Sequence, residues 1–187
     1  EAPPLAAGER VGDGVPEVLI LNASYDRLDP SYTYKVIDGG TLKEKWQSPW
    51  VSGKSGKPSA LDIDSDSVFE LVVGETWTDS DGADHGVVHV ISTDSWTEEW
   101  ASGDYLAWID AMAQDAVNDS RPEILVVIDV PDIANRTTSQ KLQLIDPVTH
   151  AVIWTSPAVP RVYDEFVDLY GSPKNEIVFL VAGTNEY

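Results

Sequence analysis

The densest group of ionisable residues in the sequence is Asp62-Ile63-Asp64-Ser65-Asp66-Ser67-Val68-Phe69-Glu70, which carries carboxylates at positions 1, 3, 5 and 9 of a nine-residue segment. Alternate residues of a tight loop point their side chains to one side, and four carboxylates gathered that way repel one another unless a cation lies among them. A hard divalent cation such as Ca2+ takes about six to eight oxygen ligands, backbone carbonyls included. The expected ligands are the side chains of Asp62, Asp64, Asp66 and Glu70, with Val68 contributing its backbone carbonyl from position 7. The competing expectation is a solvated acidic turn that merely suits a junction between strands.

Three further segments follow the same template with fewer acids. Glu9–Glu17 keeps Asp13 and Glu17, Asp115–Glu123 keeps Asp115, Asp119 and Glu123, and Asp168–Glu176 keeps only its two ends. These are expected to hold the same turn through carboxylate-to-backbone hydrogen bonds, without a tightly bound ion. Arg121 and Lys174, each at position 7, are candidates to replace the missing charge.

No other constellation of residues points to catalysis. Cysteine is absent, which excludes disulfides, thiolate metal sites and a cysteine nucleophile. The only histidines, His85, His89 and His150, lack the paired spacing of a transition-metal site and are expected to be surface or strand residues. No Gly-x-Ser-x-Gly elbow, phosphate-binding glycine loop or His-Glu-x-x-His occurs. Carboxylate pairs for glycoside hydrolysis could be drawn from so many acids that they single out nothing.

The elements that must position the acidic loop repeat along the chain. Pro16-Glu17-Val18-Leu19-Ile20, Phe69-Glu70-Leu71-Val72-Val73, Pro122-Glu123-Ile124-Leu125-Val126 and Asn175-Glu176-Ile177-Val178-Phe179 superpose, with their glutamates 53 residues apart. A second mark follows three of them: Ile37 precedes Trp46, Ile91 precedes Trp100 and Ile145 precedes Trp154, always by nine. Each unit reads as strands: a short β-branched apolar run, an alternating segment such as Tyr34-Lys35-Val36, a turn such as Asp38-Gly39-Gly40-Thr41, and a tryptophan-bearing strand. An apolar stretch such as Tyr105–Ile109 supplies the fourth strand. The fold class is therefore all-β, made of β-propeller blades of four antiparallel strands, with approximate limits 8–60, 61–113, 114–167 and a partial 168–187. One tryptophan per blade is expected to fill the space between neighbouring sheets. The partial fourth unit implies an incomplete ring, part of a larger propeller, or a ring completed by several chains.

Composition narrows the partners. Thirty-two acidic against 12 basic residues, a formal charge of −20, repel nucleic acid and anionic membranes. No apolar run is long enough to span a membrane. The opening Glu1-Ala2-Pro3-Pro4 lacks a signal peptide's basic and apolar regions, as expected of a processed chain or a piece of a longer one. Sequons at Asn22, Asn118 and Asn135 are candidate N-glycosylation sites and favour secretion. The variable loops Tyr25–Tyr32 and Trp77–Asp84 mix aromatic and acidic residues on one rim, where a protein or carbohydrate ligand is expected; self-association is the other expected partnership.

These loops resemble the FG-GAP or VCBS repeats of integrin-α-like propellers, whose pattern is close to Asp-x-Asp/Asn-x-Asp-Gly-x-x-Asp/Glu followed by an apolar strand. The likeness covers all four copies; the glycine usual at position 6 survives only as Gly14. It implies a blade with Ca2+ in the loop between its first two strands, in extracellular proteins of adhesion or recognition. It also leaves open a polysaccharide-lyase propeller or a self-assembling surface-layer or filament subunit. The Asp-x-x-Thr-x-x-x-x-Trp half resembles quinoprotein-like blades, with Leu42 and His150 where those carry glycine.

Overall fold

The computed structural model describes residues 4–9, 15–24, 31–53, 56, 58–115, 121–132, 137–160, 164–167 and 176–179. Regular structure among them is entirely β, and no helix is long and apolar enough to cross a membrane. The first sheet is built from β1 (Pro4–Glu9), β2 (Pro16–Ser24), β3 (Ser31–Asp38) and β4 (Glu44–Gln47), hydrogen-bonded in chain order. The second repeats this with β5 (Ser59–Leu61), β6 (Glu70–Thr78), β7 (Asp84–Ser92) and β8 (Glu98–Ala101). The third uses β9 (Ile109–Gln114), β10 (Glu123–Asp132), β11 (Thr137–Ile145) and β12 (Val152–Thr155), with the short β13 (Val159–Pro160) also paired to β11. A last pair, β14 (Asp164–Val167) and β15 (Glu176–Phe179), follows. Every pairing is antiparallel.

The limits of the sheets differ in phase from the sequence units. Of the stretch Tyr105–Ile109, expected as the fourth strand of the second unit, only Ile109 lies in a strand, and that strand opens the third sheet. It pairs with β10 from Gln114 opposite Glu123 to Ile109 opposite Ile128. The described acidic loop shows the cause: the chain reverses between Leu61 and Glu70, which makes the flanks β5 and β6 neighbours in one sheet, and β9 and β10 are paired in the same way. The step from one sheet to the next falls instead between β8 and β9.

The sheets stack face to face. Leu71, Val73 and Ile91 of the second sheet pack against Leu19, Leu21, Tyr34 and Val36 of the first. On the opposite face, Val72, Val88 and Val90 meet Ile109, Ala111, Ile124 and Val126 of the third. Leu125, Val127, Leu142 and Leu144 form a further buried cluster on the far side of the third sheet. The 53-residue period thus preserves direction: Leu71 and Ile124 look back to the preceding sheet, Leu19 and Val72 forward to the next. A strand covered on both faces has no solvent side, which is why Leu71-Val72-Val73 and Ile124-Leu125-Val126 are continuous apolar runs. Each such side chain contributes about 1.5–3 kcal/mol by leaving water.

The tryptophans do fill the gaps between sheets, twice. Trp46 stacks on Trp96 of the second sheet with ring centroids 6.0 Å apart, and Trp100 stacks on His150 of the third at 4.5 Å. Their covering residues, Trp96 and His150, occupy the same turn position as Leu42, and all three are left-handed, with φ of 56°, 57° and 59°. That backbone explains why glycine is at home there in similar repeats. Trp154, the third tryptophan of the series, is 40% exposed. The sheets do not close into a ring among the described residues.

Candidate metal centre

Leu61 at the end of β5 pairs with Glu70 at the start of β6, so the eight residues between them form a closed loop. Its own carboxylates pin it. Asp62 Oδ1 accepts hydrogen bonds from the backbone N–H groups of Ser65 (2.7 Å) and Asp66 (3.1 Å), and its Oδ2 from that of Ser67 (3.1 Å). Asp64 Oδ1 accepts from the Asp66 N–H (3.1 Å) and Asp66 Oδ1 from the Val68 N–H (2.7 Å). Ser65 and Ser67 are left-handed, with φ of 69° and 74°. Position 6, occupied by Ser67, is where the related pattern carries glycine, and its backbone supplies the reason.

Carboxylate oxygens of Asp62, Asp64 and Glu70 lie within 4.8 Å of one another, the only such group among the described residues. Oxygens bound at about 2.3–2.6 Å to one Ca2+ are at most about 5.2 Å apart, so the trio can hold a single ion. Asp66, also expected as a ligand, is outside this trio of side chains: its Oδ1 accepts the Val68 N–H. Glu70 is 1% exposed, and its Oε2 accepts the Ile63 N–H at 2.9 Å. Burial pushes its carboxyl up to about 7, the Ile63 N–H opposes this, and Asp64, Glu99 and Asp66 add to it.

The equivalent glutamates show what this site lacks. Glu17 is equally buried, but the Lys45 ammonium sits 2.6 Å from its Oε1 and 3.4 Å from Asp38 Oδ2. One repeat on, the position of Lys45 is occupied by Glu99, which lines the same cleft as Asp64 and Glu70. Two repeats on it is Ile153, beside Glu123, Asp146 and Arg121. The first sheet therefore carries an internal cation at its buried glutamate, whereas the second surrounds its own with further negative charge. Sequence reasoning looked for the replacement charge at position 7 of the loop and missed Lys45, which arrives from β4; the 54-residue spacing of Trp46 and Trp100 aligns it with Glu99, but nothing in that alignment tells that Lys45 reaches Glu17.

The cleft beside the acidic trio encloses about 200 Å³ and is walled by Val90, Trp100, Val148 and His150. The other two histidines lie between carboxylates on β7. His85 Nδ1 is 2.6 Å from Asp104 Oδ2, its Nε2 3.2 Å from Asp79 Oδ2, and its ring stacks on Trp77. The Asp104 and Asp79 carboxylates raise its pKa. His89 contacts Glu98 (2.6 Å) and Glu75 (3.1 Å) and stacks on Trp50. All three histidines thus meet aromatic or acidic neighbours, and none joins a metal-ligand group among the described residues.

Of the weaker loops, Glu123 is buried like Glu17 and Glu70, and Asp115 is half-buried. Asp13, Asp119, Asn118 and Asn135 lie outside the described residues, as do Lys174 and the loop 25–30. Asn22 is exposed within β2 and donates through Nδ2 to Thr33 Oγ1 at 3.3 Å. Trp77–Asp84 forms a turn in which Asp79 Oδ1 accepts the N–H groups of Asp81 and Ala83, with Gly82 left-handed. No known family model matches the chain, and no curated protein matches it.

Proposed function

We propose that the chain is a series of blades of a Ca2+-binding β-propeller of the FG-GAP or VCBS type, a non-catalytic extracellular module for adhesion, recognition or surface structure. The observation that carries this reading is the exchange of Lys45 for Glu99 at equivalent buried glutamates. Where an ammonium neutralises Glu17, Glu70 is left to a proton or a bound cation, and above about pH 7 the cation is what remains; the grouped oxygens of Asp62 and Asp64 would share it. Directional stacking of four-stranded sheets at a constant period supports the blade assignment.

Thermal unfolding in Ca2+ and in chelator tests the metal. At 100 times its dissociation constant, a native-state ligand stabilises by about 2.7 kcal/mol, which for a chain of this size raises Tm by roughly 5–10 °C. Asp64→Ala is expected to abolish the difference while leaving Tm in chelator unchanged or higher. An identical Tm in Ca2+ and chelator for the wild-type chain rules out the site.

A further inference from the structure

The outer edges of the three sheets are equivalent in position and unlike in chemistry. Just before the tryptophan, β4 carries Glu44-Lys45 and β8 carries Glu98-Glu99, whereas β12 carries Val152-Ile153. Charges on an edge strand are the usual guard against pairing with another chain. In β12 that guard is replaced by β-branched apolar residues, and every residue of the strand is exposed, with Val152 at 52% and Ile153 at 51%. The strand is hydrogen-bonded to β11 on one side, and no strand is paired to its other side among the described residues. The exposed Val148 lies beside Ile153 and extends the same apolar strip. A solvated edge has no use for these residues, since each leaves water-exposed area that the equivalent charged pairs avoid.

We propose that β12 is a docking edge for an extended, basic segment of a partner protein, which adds to the third sheet as a further strand. Main-chain hydrogen bonds would come from the open side of β12, and apolar side chains of the partner would meet Val152 and Ile153. Charge selects the occupant. Asp64, Glu123 and Asp146 border Ile153, with Arg121 as the one cation lining that cleft among the described residues, Glu99 borders Val148, and the whole chain carries −20. A second copy would bring the same charge to the same edge, whereas a segment with lysine or arginine between its apolar residues meets attraction. The proposal uses no metal ligand for its hydrogen bonds and does not depend on the propeller reading.

The probe is a fluorescein-labelled synthetic peptide of alternating lysine and valine, followed by anisotropy, with an alternating glutamate and valine peptide as its counterpart. The variant is Val152→Glu with Ile153→Lys, which copies the pair in β4, leaves the net charge unchanged and places an amine beside Glu123 as Lys45 stands beside Glu17. The lysine peptide is expected to bind the wild-type chain, the glutamate peptide not to bind, and the double variant to bind the lysine peptide about tenfold more weakly or worse, a loss of about 1.4 kcal/mol. Binding unchanged by the double variant would mean that the acidic surface alone attracts the peptide and would overturn the proposal. So would absence of binding, equal binding of both peptides, or self-association in sedimentation that the double variant removes, which would make the occupant a second copy.

Discussion

At the scale of single residues, the chemistry turns on what stands next to a buried glutamate. The carboxyl of Glu70, ordinarily near 4.5, is held at about 7, so without metal the folded chain binds more protons than the unfolded one between those values. Stability in chelator is therefore expected to fall as pH rises from about 4.5 to about 7, because the unfolded state releases its proton first. Replacing Glu99 by lysine removes one of the charges that raise this carboxyl and offers an ammonium in the manner of Lys45. Glu99→Lys is expected to flatten the fall and to shrink the Ca2+-dependent rise in Tm; chelator melts across this pH range check it, and a variant that keeps the wild-type slope would show that Glu99 does not act on Glu70. The acidic loop itself was legible in the sequence because its carboxylates are local: Asp62, Asp64 and Glu70 lie within nine residues, and a tight turn gathers them whatever surrounds it. Lys45 was not legible, because its approach to Glu17 depends on the pairing of β4 with β3, where the register shifts between Val36 and Ile37.

At the scale of elements, period-2 alternation and β-branched runs located the strands, and the spacing of isoleucine and tryptophan located the third and fourth strands of each sheet. The residues alone did not show the phase of the first strand, since Ile109–Gln114 is equally apolar whether it ends one sheet or begins the next, although a loop between a blade's first two strands, as the resemblance implies, has the phase that the pairing shows. Only hydrogen bonding to β10 decides it. The passage from the second sheet into the third needs a residue without a side chain: a Cβ on Gly86 of β7 would lie 2.6 Å from the Ala107 carbonyl oxygen and 2.8 Å from Ile109 Cγ1. Gly86→Ala must push that segment off the sheet and is expected to cost about 1–3 kcal/mol, as overpacking does. Gly103, where an added Cβ meets nothing within 4 Å, supplies the control: Gly103→Ala is expected to change stability by no more than about 0.5 kcal/mol. Equal unfolding midpoints for the two variants in urea would show that the close approach of Ala107 is not a constraint.

At the scale of the whole molecule, the acidic surface and the acidic loop make separable contributions. A chain of −20 repels itself when compact, and that repulsion is weakened by any salt, because the Debye length shrinks from about 10 Å at 0.1 M to about 3 Å at 1 M. An ion held by the oxygens of Asp62, Asp64 and Glu70 acts at contact distance, where screening is slight. In chelator, Tm is therefore expected to rise steadily with sodium chloride in both the wild-type chain and Asp64→Ala. The further rise produced by Ca2+ is expected to persist at high salt in the wild-type chain and to be missing at every salt concentration in the variant. Should the Ca2+ effect vanish at 1 M salt, or survive in Asp64→Ala, the ion would be serving as a diffuse counterion to the surface. The stacked sheets would then be held by the apolar contacts of Leu71, Val72 and their neighbours without help from a bound metal.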